Sequence, residues 1–197
     1  SDPAIMCMAT GDSNCDQAPL QVTQFESSIV LADQLKNIFI EGGGGGNAGE
    51  TYSLAWAFAL WKTKCDTLKK RQHKGYLFTI GDECCLPVIR REHLQRFLGL
   101  PAETDMDVKL LAEMVRKDWE VFHLIVKPVD GQPVVKSWRD ILGERAIEVA
   151  DLDRLAEGIV ACIQMIEGAD INTAMAGWEP KSARIVEAVA MQLTAGK

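Results

Sequence analysis

No stretch of this 197-residue chain carries enough lysine and arginine to follow a phosphate backbone, and its net charge is -7. A nucleic-acid partner is therefore not expected. The densest basic cluster, Lys69-Lys70-Arg71 with Lys74, reads as a solvated helix end where cations favour the dipole. Long apolar runs are missing too: none approaches the ~20 residues that cross a bilayer. Pro3 to Ala9 is apolar but short and has no basic flank, unlike a secretory leader. The three histidines are spread over fifty residues and the six cysteines form no C-x-x-C pair, so no zinc spacing results. Cys7 and Cys162 fall in apolar periodic segments, where a thiol packs as a small hydrophobe. These absences predict a reduced protein of the cytoplasm.

What is present is globular in kind, with 47% apolar and 25% charged residues. One domain is expected over residues 1–197, its core about 4–167 and a helical extension at 168–197. Ala4 to Thr10 and Leu20 to Phe25 read as two strands able to pair antiparallel. Ile29 to Phe39 predicts a helix, and Tyr52 to Lys70 a long second one with Leu54, Phe58, Trp61, Cys65 and Leu68 along its stripe. Tyr76 to Ile80 is continuously apolar, as a central strand covered on both faces would be. Short helices are expected at Arg91 to Leu98, closed by Gly99, and at Asp107 to Arg116. Trp119 to Val126 reads as a strand, Ser137 to Gly143 as an amphipathic turn and Ala146 to Val149 as an edge strand. Asp151 to Glu167 predicts a helix capped by Asp151 and stopped by Gly168, and Lys181 to Leu193 a last one behind Pro180. Strands alternating with helices of this kind mean an α/β sheet.

The run Gly42 to Gly46 leads through Asn47-Ala48-Gly49-Glu50 into the second helix. Backbone N–H groups ahead of a helix suit an anion, but a Walker loop needs a Lys followed by Ser or Thr, and here Gly49 is followed by Glu50. Glu41 and Glu50 bracket the run with charge that repels phosphate. The bland reading is a loop without a ligand. The alternative is a divalent site: oxygen donors at strand ends suit Mg²⁺. Asp82 follows the Tyr76 strand at the end where ligands of open α/β sheets gather, and Asn47 and Glu50 are its candidate companions. Glu50 also has a competing role as a carboxylate in the first turn of a helix.

These stretches, with Glu41-Gly42-Gly43-Gly44-Gly45-Gly46-Asn47-Ala48-Gly49-Glu50, Lys74-Gly75-Tyr76-Leu77-Phe78-Thr79-Ile80-Gly81-Asp82-Glu83 and Ser137-Trp138-Arg139-Asp140-Ile141-Leu142-Gly143, resemble bacterial and phage von Willebrand factor A domains from about Ala4 to Glu167. The resemblance implies a three-layer α/β/α sandwich of Rossmann-like type, with a mostly parallel central sheet and one antiparallel edge strand. It also implies a non-enzymatic protein-interaction module, a metal ion-dependent adhesion site with Asp82 as the aspartate of its third loop, and a MoxR-type AAA ATPase or its client as partner. The chain departs from the family in having no D-x-S-x-S motif, Asp12-Ser13-Asn14-Cys15-Asp16 being the nearest stretch. The threonine usual in the second loop is replaced by Gly and Asn. On this reading the chain starts at the family's second strand, and any Mg²⁺ held by it alone is held weakly.

A different class of function would use Cys84 or Cys85 as a nucleophile at the end of the Tyr76 strand. A reactive thiol needs a nearby cation or helix N-terminus, whereas Asp82 and Glu83 are acids. All six cysteines are expected to be free. Thiol titration under denaturing, non-reducing conditions should find six reactive groups, and fewer would reveal a disulfide that the spacing does not predict.

Overall fold

The computed structural model describes residues 3–42 and 49–195. It is a mixed α/β chain with a three-stranded parallel sheet. From the N-terminus, β1 (Met8–Thr10) and β2 (Leu20–Val22) precede α1 (Val30–Lys36), α2 (Ser53–Trp61) and α3 (Thr67–Arg71). Next come β3 (Gly75–Gly81), β4 (Val88–Ile89), α4 (Arg91–Leu98), β5 (Met106–Asp107) and α5 (Val108–Val115). The remainder holds β6 (Trp119–Ile125), α6 (Val134–Leu142), β7 (Ala146–Glu148), α7 (Leu155–Ile166), α8 (Ile171–Met175) and α9 (Pro180–Thr194). The chain divides into two compact units, Ser1–Lys64 with Cys85–Leu111, and Cys65–Cys84 with Ala112–Lys197. Among the described residues no helix is long and apolar enough to cross a membrane.

In the first unit β1 and β2 pair antiparallel, Met8 opposite Val22, and a bridge from Ile5 to Glu26 prolongs the ribbon. This is the pairing that the two N-terminal strand patterns predict. Helix α2 buries Ser53 to Ala57 and Ala59, because its sequence is apolar almost all the way round. The long helix expected from Tyr52 to Lys70 is broken. Apolar residues run out after Trp61, the Thr63 hydroxyl donates back to the Ala59 carbonyl, and Lys62 to Asp66 has too little to bury to hold another turn. Helix α4 matches its predicted span and ends on Gly99 at φ 59°, a left-handed residue that glycine takes without strain. Helix α1 forms but buries none of its residues, and Ile29, Phe39 and Ile40 beside it are 85%, 61% and 83% exposed. Its apolar side chains are spread round a helix of only seven residues instead of forming one stripe.

In the second unit the strand order is β3-β6-β7, with both pairs parallel. Strand β6 is therefore the middle strand and β3 an edge, which corrects the expectation that Tyr76 to Ile80 is central. The burial explains the order: Val121 to Val126 is buried at every position, while β3 buries Leu77 and Thr79 and leaves Ile80 40% exposed. No antiparallel strand joins this sheet among the described residues, and the antiparallel pairs form separate two-stranded ribbons. Phe122, Leu124 and Val126 alternate onto one face and join Ile147, Val149, Cys162, Val186 and Val189 in the main core. Helix α9 is part of that core through Val186, Val189 and Leu193. Sequence pattern reads Ser137 to Gly143 as a turn, yet α6 is a full helix starting at Val134 behind Pro133. Val134, Trp138 and Leu142 fall at i, i+4 and i+8 and bury one stripe. Asp151 caps as expected, accepting from the Asp153 N–H, but the first turn is 3₁₀ and the α-helix begins at Leu155.

Gly75 stands opposite Trp119 in the β3–β6 register, and a Cβ placed there would lie 2.5 Å from the indole ring. Gly75→Ala should therefore destabilise the protein by about 1–3 kcal/mol through overpacking. Urea unfolding checks this as a lower midpoint at unchanged slope.

Candidate functional site

Strand β3 ends at Gly81 and hands the chain to Asp82, whose residue is exposed. The backbone on each side of Asp82 is held from below. The Val129 N–H donates to the Asp82 carbonyl at 3.0 Å, and the Trp138 indole Nε1–H donates to the Glu83 carbonyl at 2.9 Å. Gly81 accepts from the Val126 N–H at 3.0 Å. The carboxylate of Asp82 is thus mounted on a fixed turn at the carboxyl end of a parallel sheet, where an α/β sheet presents its ligand contacts.

His123 comes from the middle strand on the face opposite Phe122 and Leu124. Its ring lies 3.4 Å from the Trp138 ring at an angle of 8°, and both residues are 0% exposed. Thr79 Oγ1 lies 2.9 Å from His123 Nδ1, and the same hydroxyl donates to the Phe122 carbonyl. Burial among these groups pushes the His123 pKa down to about 3, against a smaller upward pull from the Gly81 backbone. The imidazole is therefore neutral at pH 7, which a flat stack on an indole in a dry core requires. Beyond the sheet, Lys127 at φ 43° turns the chain into the loop that lines a shallow open depression of about 260 Å³ from Pro128 to Lys136.

Asn47 is outside the described residues. Glu50 belongs to the first unit, where its backbone forms a parallel bridge with Cys85. The helix begins at Ser53 with Tyr52 as its cap, so Glu50 does not occupy a first-turn position and the dipole explanation for it falls. Among the described residues no group of three or more His, Cys, Asp and Glu converges as a metal would need.

The stretch nearest to D-x-S-x-S is engaged in holding its own turn. Asp12 Oδ1 accepts from the Asn14 backbone N–H and its side-chain amide, and Asp16 Oδ2 accepts from the Asp12 N–H at 2.7 Å. Ser13 is buried, its Oγ 2.8 Å from His93 Nδ1 and 2.9 Å from Thr51 Oγ1. Burial lowers the His93 pKa, so this ring is neutral and serves the serine as a hydrogen-bond partner. The Cys15 thiol is pushed up to about 12 by its hydrogen bond to Asp12. Cys85 is buried, with its sulfur donating weakly to the Leu86 carbonyl at 3.5 Å. None of the six cysteines is in a disulfide.

Sequence reading missed the supports of Asp82. A histidine inside the run Val121-Phe122-His123-Leu124-Ile125 signals a buried polar group needing a partner. The i, i+4, i+8 spacing of Val134, Trp138 and Leu142 signals the helix that brings the indole. The acceptor on Glu83 is a main-chain carbonyl, which no side-chain pattern reveals.

No family model, curated protein or solved structure matches the chain.

The buried histidine makes stability depend on pH. The unfolded chain binds a proton at His123 near pH 6.5, the folded chain refuses it until about pH 3, and so the unfolded state holds more protons in between. Stability is full above pH 6.5 and falls as the pH drops below it, by up to about 1.4 kcal/mol per pH unit from this residue. Urea unfolding at pH 7, 6 and 5 should show this loss, and His123→Gln should flatten it while lowering stability at pH 7. Equal slopes in the two proteins would show that His123 is not the group responsible.

Proposed function

We propose that this chain is a non-enzymatic protein-interaction module of von Willebrand factor A type, with Asp82 at its contact rim. The observation that carries the reading is an exposed carboxylate on a backbone fixed at Gly81, Asp82 and Glu83, at the carboxyl end of a parallel sheet. The main chain under such a group is preorganised, so little further backbone ordering accompanies a contact with a partner cation or a bridging ion.

Mg²⁺ is the ion the resemblance implies. Of the described residues Asp82 offers one hard oxygen donor, and Mg²⁺ commonly keeps several waters and uses one or two carboxylates. The remaining donors in this proposal come from water and from a carboxylate of the partner, so the chain alone holds the ion weakly. Asn47 and Glu50 enter as donors through the resemblance only. So do the three-layer α/β/α sandwich, the cytoplasmic location and a MoxR-type AAA ATPase, or its client, as partner.

The test is direct binding to a purified MoxR-type ATPase in Mg²⁺ buffer. Asp82→Asn should weaken binding by roughly 10-fold or more, as the loss of a charged contact does, and Cys84→Ser and Cys85→Ser should leave it unchanged. If both serine variants abolish function and Asp82→Asn does not, the cysteine-dependent enzyme is the better account.

A further inference from the structure

We infer that Trp138 and His123 are positioning residues that set where the Asp82 carboxylate points; this rests on the reading of Asp82 as the contact residue. The arrangement has two halves. Trp138 donates its indole N–H at 2.9 Å to the carbonyl of Glu83, the residue after Asp82. His123 stands on the middle strand β6 with its ring stacked on that indole. The two rings lie flat on each other at 3.4 Å, so the imidazole holds in place the indole that anchors Glu83. Thr79 fixes the rotation of the imidazole through the 2.9 Å contact of its hydroxyl with Nδ1.

Both rings are wholly buried. An apolar core has no need of a buried imidazole, nor of an indole N–H aimed at a loop carbonyl. A buried polar group is retained at a cost unless its hydrogen bonds are made. Here the indole N–H meets that requirement at the carbonyl of Glu83, beside an exposed acid, and the imidazole meets it at the Thr79 hydroxyl. The stack gives the loop the kind of support that keeps a binding carboxylate within a narrow range of orientations.

Mn²⁺ is a suitable probe, because its paramagnetism broadens nearby amide signals even when binding is weak. In the ¹⁵N-labelled full chain, Mn²⁺ should broaden the Asp82 and Glu83 amides, and Asp82→Asn should remove the effect. The Trp138 indole N–H should exchange slowly with solvent. Trp138→Phe keeps a ring on His123 but removes the donor, and should weaken Mn²⁺ binding roughly 3- to 10-fold, the worth of one hydrogen bond. Where that variant lowers the unfolding midpoint, the pair Thr79→Val and Thr79→Ser decides. The valine should weaken Mn²⁺ binding and the serine, which restores the hydroxyl, should recover it. Wild-type affinity in folded Trp138→Phe, no difference between the Thr79 variants, or a fast-exchanging indole N–H would overturn the inference while leaving Asp82 as the contact. No broadening at Asp82 in the native chain, or equal broadening in Asp82→Asn, would overturn the reading of Asp82 itself and the inference with it.

Discussion

The second unit depends on strand β6 being closed to water on both faces. Phe122, Leu124 and Val126 meet the helices α7 and α9 through one core, and His123 on the other face lies flat against Trp138 of α6. A strand in that position has to bring an apolar residue to every site or satisfy the exception. His123 is the exception, and its partner Thr79 sits on the adjacent strand β3. Burial of this one polar side chain therefore ties three elements together and leaves the carboxyl end of β3 held in place. Each large apolar side chain buried here contributes about 1.5–3 kcal/mol, so the helices fix the sheet, and the sheet in turn fixes the Asp82 turn.

The first unit solves a similar problem in its own way. Its polar interior is the hydrogen-bonded set of Ser13, Thr51 and His93, drawn from positions 38 and 80 residues away from the serine. Closing such long separations is entropically unfavourable, and the network persists because each buried group finds a partner. The acidic turn at Asp12 and Asp16 is occupied by its own backbone amides, which explains why a sequence stretch resembling an ion-binding loop offers few free oxygens. Carboxylates alone do not make a cation site; uncommitted carboxylates do.

Much of the fold was legible in the sequence because local physics settled it. Hydrophobic alternation marked β1, β2, β6 and β7, and Gly99 and Gly168 stopped their helices through positive φ, as any chain with those residues would require. Asp82 was legible for the same reason: an acid directly after an apolar strand can lie only at its end. The exposed apolar residues around α1 and the broken helix at Lys62 to Asp66 were not legible, since amphipathic spacing states what a segment can bury and not what is there to bury it against.

Sequence by itself determined β1, β2, β3, β6 and β7, the helix ends at Gly99 and Gly168 and the acid at the exit of β3, because these follow from side-chain period and backbone sterics within a few residues. Only the tertiary structure decided that β6, not β3, is the middle strand, since the order of parallel strands depends on which faces the helices cover. It alone also brought Trp138 to the carbonyl of Glu83, 55 residues away. That contact joins a side chain to a main-chain oxygen, and every residue possesses such an oxygen, so no pattern of residue types can encode which one is chosen.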